Sequence, residues 1–374
     1  MSVPAAVTAT GAGTEKTLLI AGGGTGGHVF PAIAVAREWL GRASAGVGKR
    51  SVVLVGTEQG MEAKLVPQAG LPLELIRAAG LKGIHGRKFL RNVAMLPAGL
   101  WDSEKILQRH TFSAAFGVGG YASGPMLLLA ALHRVPTVIF EPNAQPGLTN
   151  RILARMSTRV AVAYADTASE LGSGAVVTGC PIRREFFAVP PKQHAAPFTL
   201  LITGGSRGAH PINMAVIGAL DHFAEKKNRL FIVHQTGERD YNAVREEYAR
   251  RAIHAEVVPF IDNMAERFAQ ADLIVCRSGA ITVAEVSAAG RAAIFIPFGA
   301  STDAHQTSNA AAVAQAGAAC LLPQDELTPE RLAGEVFSLL DQPRRIQEME
   351  DRARALARPR AVEDIVDLLE RVAR

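Results

Sequence analysis

Short continuous runs of Val, Ile, Leu and Ala alternate along the chain with longer segments whose apolar residues recur at helical spacing. Continuous runs bounded by Gly suit strands buried on both faces, and the longer segments suit crossover helices. One apolar strand starts at Thr17, and others are predicted at 51–55, 73–76, 114–118 and 137–140. A second series starts at Thr199 and continues at 230–233, 255–260, 272–275 and 292–296. Helices are predicted over 31–40 and 212–223, each following a glycine-rich turn. The fold class is therefore α/β, with two doubly wound parallel sheets.

The two series open alike. Thr17-Leu-Leu-Ile-Ala-Gly-Gly-Gly-Thr-Gly-Gly-His28 aligns without gaps on Thr199-Leu-Leu-Ile-Thr-Gly-Gly-Ser-Arg-Gly-Ala-His210. Strand, glycine turn and helix form the first unit of a nucleotide-binding half, here present twice. Between the halves, Val189-Pro-Pro-Lys-Gln-His-Ala-Ala-Pro197 has linker composition, and the hinge is placed there. The expected domains are 1–188 and 189–360, with the helix at 361–374 returning to the first. The tail from Leu332 is charged and helical in pattern, broken near Pro343 and Pro359.

Composition narrows this reading. A chain of 374 residues, 48% hydrophobic, exceeds the usual span of one core. The three cysteines are far apart and form no C-x-x-C pair, which fits a reducing compartment. Neither a signal sequence nor a membrane-spanning run is expected. The net charge of +5 is modest, with one local basic cluster.

In an open α/β sheet, ligands sit beyond the carboxyl ends of the strands, so each glycine turn faces a binding crevice. Glycines let the backbone approach a ligand, and the following helix N-terminus attracts a diphosphate. Gly22-x-Gly24-x-x-Gly27 also satisfies the dinucleotide fingerprint. Against that reading, the second strand ends Leu54-Val-Gly-Thr57, with Glu58 beyond it, and the second turn lacks the spacing. A packing role for the glycines is the bland alternative. No Gly-Lys-Ser/Thr follows either turn and no Asp-x-Asp appears, leaving helix dipoles and Arg to neutralise a diphosphate.

The residues carry a wider resemblance, in Gly23-Gly-Thr-Gly-Gly-His-Val-Phe-Pro31, Gly119-Gly-Tyr-Ala-Ser-Gly-Pro125, Glu141-Pro-Asn143, Gly147-Leu-Thr-Asn150, Gly179-Cys-Pro-Ile-Arg183, Gly204-Gly-Ser-Arg-Gly-Ala209, Phe260-Ile-Asp262, Cys276-Arg-Ser-Gly-Ala-Ile-Thr-Val-Ala-Glu285 and Asp303-Ala-His-Gln306. Across nearly its whole length the chain resembles the peripheral membrane N-acetylglucosaminyltransferases that convert lipid I to lipid II in peptidoglycan synthesis. The resemblance implies the GT-B architecture, two Rossmann-like domains facing across a cleft. It implies inverting, metal-independent transfer of GlcNAc from UDP-GlcNAc to the C4 hydroxyl of MurNAc in undecaprenyl-diphospho-MurNAc-pentapeptide. No cofactor and no nucleic-acid partner are implied, and the expected location is the cytoplasmic face of the inner membrane. The chain departs from the family pattern at Pro142, where Gln is usual, and at His305, where some members carry Gln.

By motif position, the resemblance places Thr25, Gly26 and Gly27 on the donor, Asn143 on the sugar, and Arg183 and Ser206 on the diphosphate. Ile261 would pair its backbone with uracil. Ala280, Ile281, Thr282, Val283 and Ala284 would form the helix start beneath the nucleotide, Glu285 would accept from the ribose hydroxyls, and Gln306 would bind GlcNAc. For the base that takes the acceptor proton, His28 is the leading candidate, because imidazole titrates near neutral pH and sits at the end of the glycine turn. A histidine that only orients the turn is the competing reading, and His210 shows that this position need not be catalytic. Tyr121 and Glu141 stand as alternatives, either as acceptor contacts or as the base. A non-catalytic sugar-nucleotide sensor would keep Ser206 and Glu285 but have no use for Gly119-Gly-Tyr121.

Residues 80–101 interleave Lys82, Arg87, Lys88 and Arg91 with Leu81, Ile84, Phe89, Leu90, Met95 and Trp101, with no acid before Asp102. Alone, the segment fits a loop and a core helix with a solvated basic face. With an acceptor on a polyprenyl chain, docking of Lys82, Arg87, Lys88, Phe89 and Arg91 on an anionic membrane is expected, each basic side chain contributing about 1 kcal/mol.

Overall fold

A computed structural model describes residues 15–45, 48–79, 92, 94–299 and 305–374. One sheet holds β1 (Lys16–Gly22), β2 (Arg50–Gly56), β3 (Leu73–Leu75), β4 (Ala114–Gly119), β5 (Thr137–Glu141), β6 (Arg159–Val162) and β7 (Ala175–Val177), in the order β3-β2-β1-β4-β5-β6-β7. A second holds β8 (Phe198–Thr203), β9 (Leu230–Gln235), β10 (Ala255–Val258), β11 (Leu273–Cys276), β12 (Ala293–Phe295) and β13 (Cys320–Leu321), in the order β10-β9-β8-β11-β12-β13. The opening strands pair parallel on both sides, Leu18 opposite Val52 and Ala114, Leu201 opposite Val233 and Ile274. In each sheet the strand order reverses beside the opening strand, which puts each glycine turn at a topological switch point.

The helices are α1 (Gly26–Gly41), α2 (Glu62–Gln68), α3 (Leu96–Arg109), α4 (Ser123–Leu132), α5 (Leu148–Ala154), α6 (Ala165–Leu171) and α7 (His210–Glu225). They continue with α8 (Tyr241–Arg250), α9 (Met264–Gln270), α10 (Ala280–Ala289), α11 (His305–Gln315), α12 (Pro329–Leu340), α13 (Pro343–Leu356) and α14 (Ala361–Val372). The first helix begins five residues before the predicted start at Pro31. Pro31 stands inside it, so the glycines and His28 themselves form its opening turn. Apolar spacing marks the helix only from Pro31, because the glycines and His28 of the opening turn carry no apolar pattern.

The chain divides into two compact units, Met1–Ile139 with Arg155–Arg159 and Ile365–Arg374, and Phe140–Ala154 with Val160–Asp364. In the first, Leu18, Leu19 and Ile20 of β1 are buried with Trp39, Phe116 and, from α14, Ile365, Val366 and Leu369. Each such side chain removed from water contributes about 1.5–3 kcal/mol. Arg42 binds Asp367 at 2.6 Å and Glu370 at 2.8 Å, and Arg50 binds Glu370 at 2.6 Å. Burial opposes the Arg42 charge, but these carboxylates outweigh it and hold the guanidinium firmly protonated.

In the second unit, Leu200 and Ile202 of β8 pack with Val216, Leu220 and Phe223 of α7 and Val336 and Leu339 of α12. The Pro-rich segment before β8 is strapped to this core: Lys192 and His194 both reach the fully buried Asp272, at 2.6 and 2.8 Å, and Arg291 donates to the Pro190 carbonyl at 2.8 Å. All three cysteines are free. Among the described residues, no helix is long and apolar enough to cross a membrane.

Candidate functional site

The first glycine turn is built around a carboxylate that sequence reasoning missed. Glu62, 1% exposed, accepts from the Gly24 N–H at 2.7 Å and from the N–H and hydroxyl of Thr57 at 2.8 and 2.9 Å. A Cβ on Gly23 would lie 2.2 Å from that carboxylate, so the second glycine exists to admit Glu62. Thr25 is the N-cap of α1, leaving the N–H groups of Gly26 and Gly27 in the opening turn, where an intrahelical partner is missing.

His28 occupies the same turn. Its Nδ1 lies 3.1 Å from the Gly23 carbonyl and 3.4 Å from the Thr25 hydroxyl. A carbonyl only accepts, so Nδ1 carries a proton, and in the neutral ring the lone pair is on Nε2. Nε2 sits beside the loop after β4, within 3.0 Å of where a Cβ on Gly119 would be. That loop crosses the first one closely: Gly120, at φ +83°, has its Cβ direction 2.1 Å from the Gly23 oxygen, so only glycine fits. Tyr121 follows, 55% exposed.

The second turn differs. Ser206 and Arg207 are exposed, and Gly205 is held by the Thr203 hydroxyl and the Gln235 amide, at 3.2 and 3.0 Å. His210 opens α7 but pairs with Asp240 at 3.1 Å, and Asp240 also accepts from buried Asn213 at 2.8 Å. Asn213 in turn meets His234, whose pKa burial pushes down to about 3, so His234 is a neutral core group.

Glu141, 1% exposed at the end of β5, accepts four hydrogen bonds: from the Asn143 N–H and Nδ2 at 3.0 and 2.9 Å, the Gly147 N–H at 3.0 Å and the Asn150 Nδ2 at 2.9 Å. The carboxylate is the hub that folds 141–150 into one loop. The same loop is tied to α11 by Asn309, which sequence reasoning also missed: its Oδ1 accepts from the Ala144 N–H at 2.8 Å and its Nδ2 donates to Asn143 Oδ1 at 3.1 Å.

Arg183 and Glu285, expected on different parts of one nucleotide, meet at 3.2 Å. Burial pushes the Glu285 pKa up to about 7, with Arg183 pulling it back down and Glu185 adding to the rise. Glu285 rides on α10, whose first turn is Ala280, Ile281 and Thr282, so the expected cradle of backbone N–H groups is a helix N-terminus. Val283 is buried beneath it, and Ala284 is partly exposed. Ile261 is buried between exposed Phe260 and Asp262. Gln306, near the start of α11, accepts from the Phe298 N–H at 3.0 Å. Arg277 holds the adjoining strand end through the carbonyls of Ile296 and Pro297, at 3.0 and 2.8 Å, and burial lowers its pKa to about 10. The expected membrane residues Lys82, Arg87, Lys88, Phe89 and Arg91, and Asp303, lie outside the described residues.

Two Rossmann-like parallel sheets, each with a ligand-facing turn at its switch point, define a glycosyltransferase of GT-B type. Sequence profiles agree: the glycosyltransferase family 28 N-terminal domain matches residues 18–162 and its C-terminal domain residues 199–366. The chain belongs to glycosyltransferase family 28. It is 44% identical over 354 residues to the UDP-N-acetylglucosamine--N-acetylmuramyl-(pentapeptide) pyrophosphoryl-undecaprenol N-acetylglucosamine transferase of Myxococcus xanthus, covering 94% of this chain and 91% of that one. The protein of the same name from Pelobacter propionicus is 43% identical over 94% of this chain and 98% of its own. The crystal structure of Acinetobacter baumannii MurG superposes with a TM-score of 0.76 at 33% identity, covering 95% of this chain and 99% of that one.

Proposed function

We propose that the protein transfers N-acetylglucosamine from UDP-GlcNAc to the C4 hydroxyl of MurNAc in undecaprenyl-diphospho-MurNAc-pentapeptide, converting lipid I to lipid II with inversion and without a metal ion. The observation that carries this reading is identity above 40%, over nearly the full length, to transferases bearing that name.

His28 is the general base in this reading. The acceptor oxygen attacks the anomeric carbon and His28 Nε2 takes the hydroxyl proton. The bond to the diphosphate breaks, and its electron pair leaves on UDP. The support is the ring's orientation: with Nδ1 donating to the Gly23 carbonyl, the neutral ring carries its lone pair on Nε2. Glu141 has four donors on its two oxygens, so its role is to shape the loop that presents Asn143 rather than to accept a further proton. Tyr121, exposed beside the first turn, is an acceptor contact.

On the donor side, Ile261 takes uracil, Glu285 the ribose hydroxyls, and Asn143 and Gln306 the sugar. Arg183, Ser206 and the helix N-termini with Thr25, Gly26 and Gly27 hold the diphosphate, whose leaving charge they stabilise. The basic and apolar segment containing Lys82, Arg87, Lys88, Phe89 and Arg91 docks on the cytoplasmic face of the membrane, making the protein peripheral.

Radiolabel transfer from UDP-GlcNAc to a short-chain lipid I analogue, with and without chelator, tests the reading. Product formation indifferent to chelator is expected. A dinucleotide enzyme would instead ignore UDP and bind NAD(H), seen as nicotinamide fluorescence.

A further inference from the structure

One cavity in the second unit brings together Tyr164, Cys180, Ser287 and Arg358, none of which the transfer reaction uses. About 200 Å³ in volume, it is walled by the chain just after β6, by α10 and α11, and by the end of α13. Ile182, Phe187, Val283, Val313 and Leu356 give it an apolar lining. Every wall residue falls within 160–364, so the cavity belongs to a single compact unit. Val283, Ala284 and Ser287 share the face of α10 that lines it. At about 3.6 residues per turn, Glu285 falls on the opposite face of that helix, so the cavity is separate from the nucleotide side.

Three polar groups at this cavity lack an acceptor. Ser287, 7% exposed, and Tyr164 each line it with a hydroxyl that makes no hydrogen bond among the described residues. Arg358, exposed at the mouth, forms no ion pair among the described residues. Its stem lies against Gly179, where a Cβ would come within 2.4 Å of the Arg358 Cβ, so glycine at φ +85° admits the arginine beside the opening. Burial pushes the Cys180 thiol and the Tyr164 phenol up, so both stay neutral and the interior carries no charge.

A buried hydroxyl without a partner is costly, and a guanidinium only donates. A ligand that satisfies all three groups brings oxygen acceptors and one negative charge to match one guanidinium. The lining requires that the rest of it be apolar. A dry cavity of about 150 Å³ holds benzene, so this one takes a body of about six to eight carbons.

We propose that the cavity is a binding site for a small monocarboxylate, with its apolar body inside and its carboxylate at Arg358.

The test is a methyl NMR titration of the full chain with UDP present, using octanoate, octanol and octyltrimethylammonium as probes. The Ile182 and Val313 methyls report on the cavity wall. Octanoate should shift both saturably and bind about fivefold tighter than octanol, the worth of one solvent-exposed charge pair, with octyltrimethylammonium the weakest. Arg358→Glu should reverse the order of the two charged probes. Ala312→Phe, which fills the cavity from α11, should lower octanoate affinity about tenfold or more, as expected when a few methylenes lose their burial.

Equal affinities for the three probes in the wild type would overturn the inference. So would octanoate binding unchanged in Ala312→Phe, or shifts confined to methyls elsewhere in the protein. If Ala312→Phe loses its cooperative melting transition, Ser287→Leu fills the same space and carries the comparison.

Discussion

In the first glycine turn the buried carboxylate, Glu62, takes backbone N–H groups and leaves His28 against a carbonyl; in the second, Asp240 takes His210 itself. The strand, turn and helix are otherwise the same device, aligned without gaps from Thr17 to His28 and from Thr199 to His210. The His210 ring turns its Nδ1 to the Asp240 carboxylate. The His28 ring turns its Nδ1 to a backbone carbonyl instead. Placement of one acidic side chain thus decides what each imidazole faces.

Substituting the two histidines is the sharpest way to break this comparison. His28→Ala should lower kcat by about a hundred- to ten-thousandfold, the usual worth of a positioned base, with UDP-GlcNAc binding little changed. His210→Ala should leave turnover within about threefold, as expected of a residue outside the reacting atoms. Steady-state transfer kinetics on both variants decide it, and equal losses would erase the distinction.

A second test concerns Glu285, where the nucleotide side of the site should respond to acid. Its folded pKa of about 7 lies above that of an unfolded carboxyl, so the folded protein retains a proton at pH values where the unfolded chain has lost it. Ionisation therefore costs stability as pH rises from the ordinary carboxylate range to about 7, and the form that accepts ribose hydroxyls is populated only above it. UDP affinity measured by calorimetry should weaken as pH falls below 7, and Glu285→Gln should remove that dependence along with most of the binding. A pH-independent wild type would remove Glu285 from the ribose.

The smallest effect is expected under the turn itself. Glu62→Gln places an amide donor among three N–H and O–H donors, and should cost about 1–3 kcal/mol of stability, seen as a lowered melting temperature. Asp240→Asn retains an acceptor for Asn213 and should cost less. The reverse ranking would show that the second turn, not the first, depends on its carboxylate.

The apolar runs revealed the long central strands because both faces of each are covered. Strands β6, β7 and β13 were not predicted, although β3 and β12 are as short and were, so length alone does not separate them. The glycine turns and the helices after them were legible because their spacing is local, whereas the nucleotide-side residues were expected only from the family resemblance. Glu62 and Asn309 were not legible, because a Glu or Asn in a helical pattern reads as a solvated position, and only tertiary packing places it in the core. The pairing of Arg183 with Glu285, 102 residues apart, was invisible for the same reason. Glu141 was legible as a residue of interest, but its four donors belong to a loop closure that no spacing rule encodes.

The last helix has a bearing on synthesis as well as stability. Residues 365–374 belong to the unit that begins at the N-terminus, and Asp367 and Glu370 bind Arg42 and Arg50. The unit formed by residues 1–139 therefore lacks part of its buried core, Ile365, Val366 and Leu369, until residues 365–374 have been synthesised.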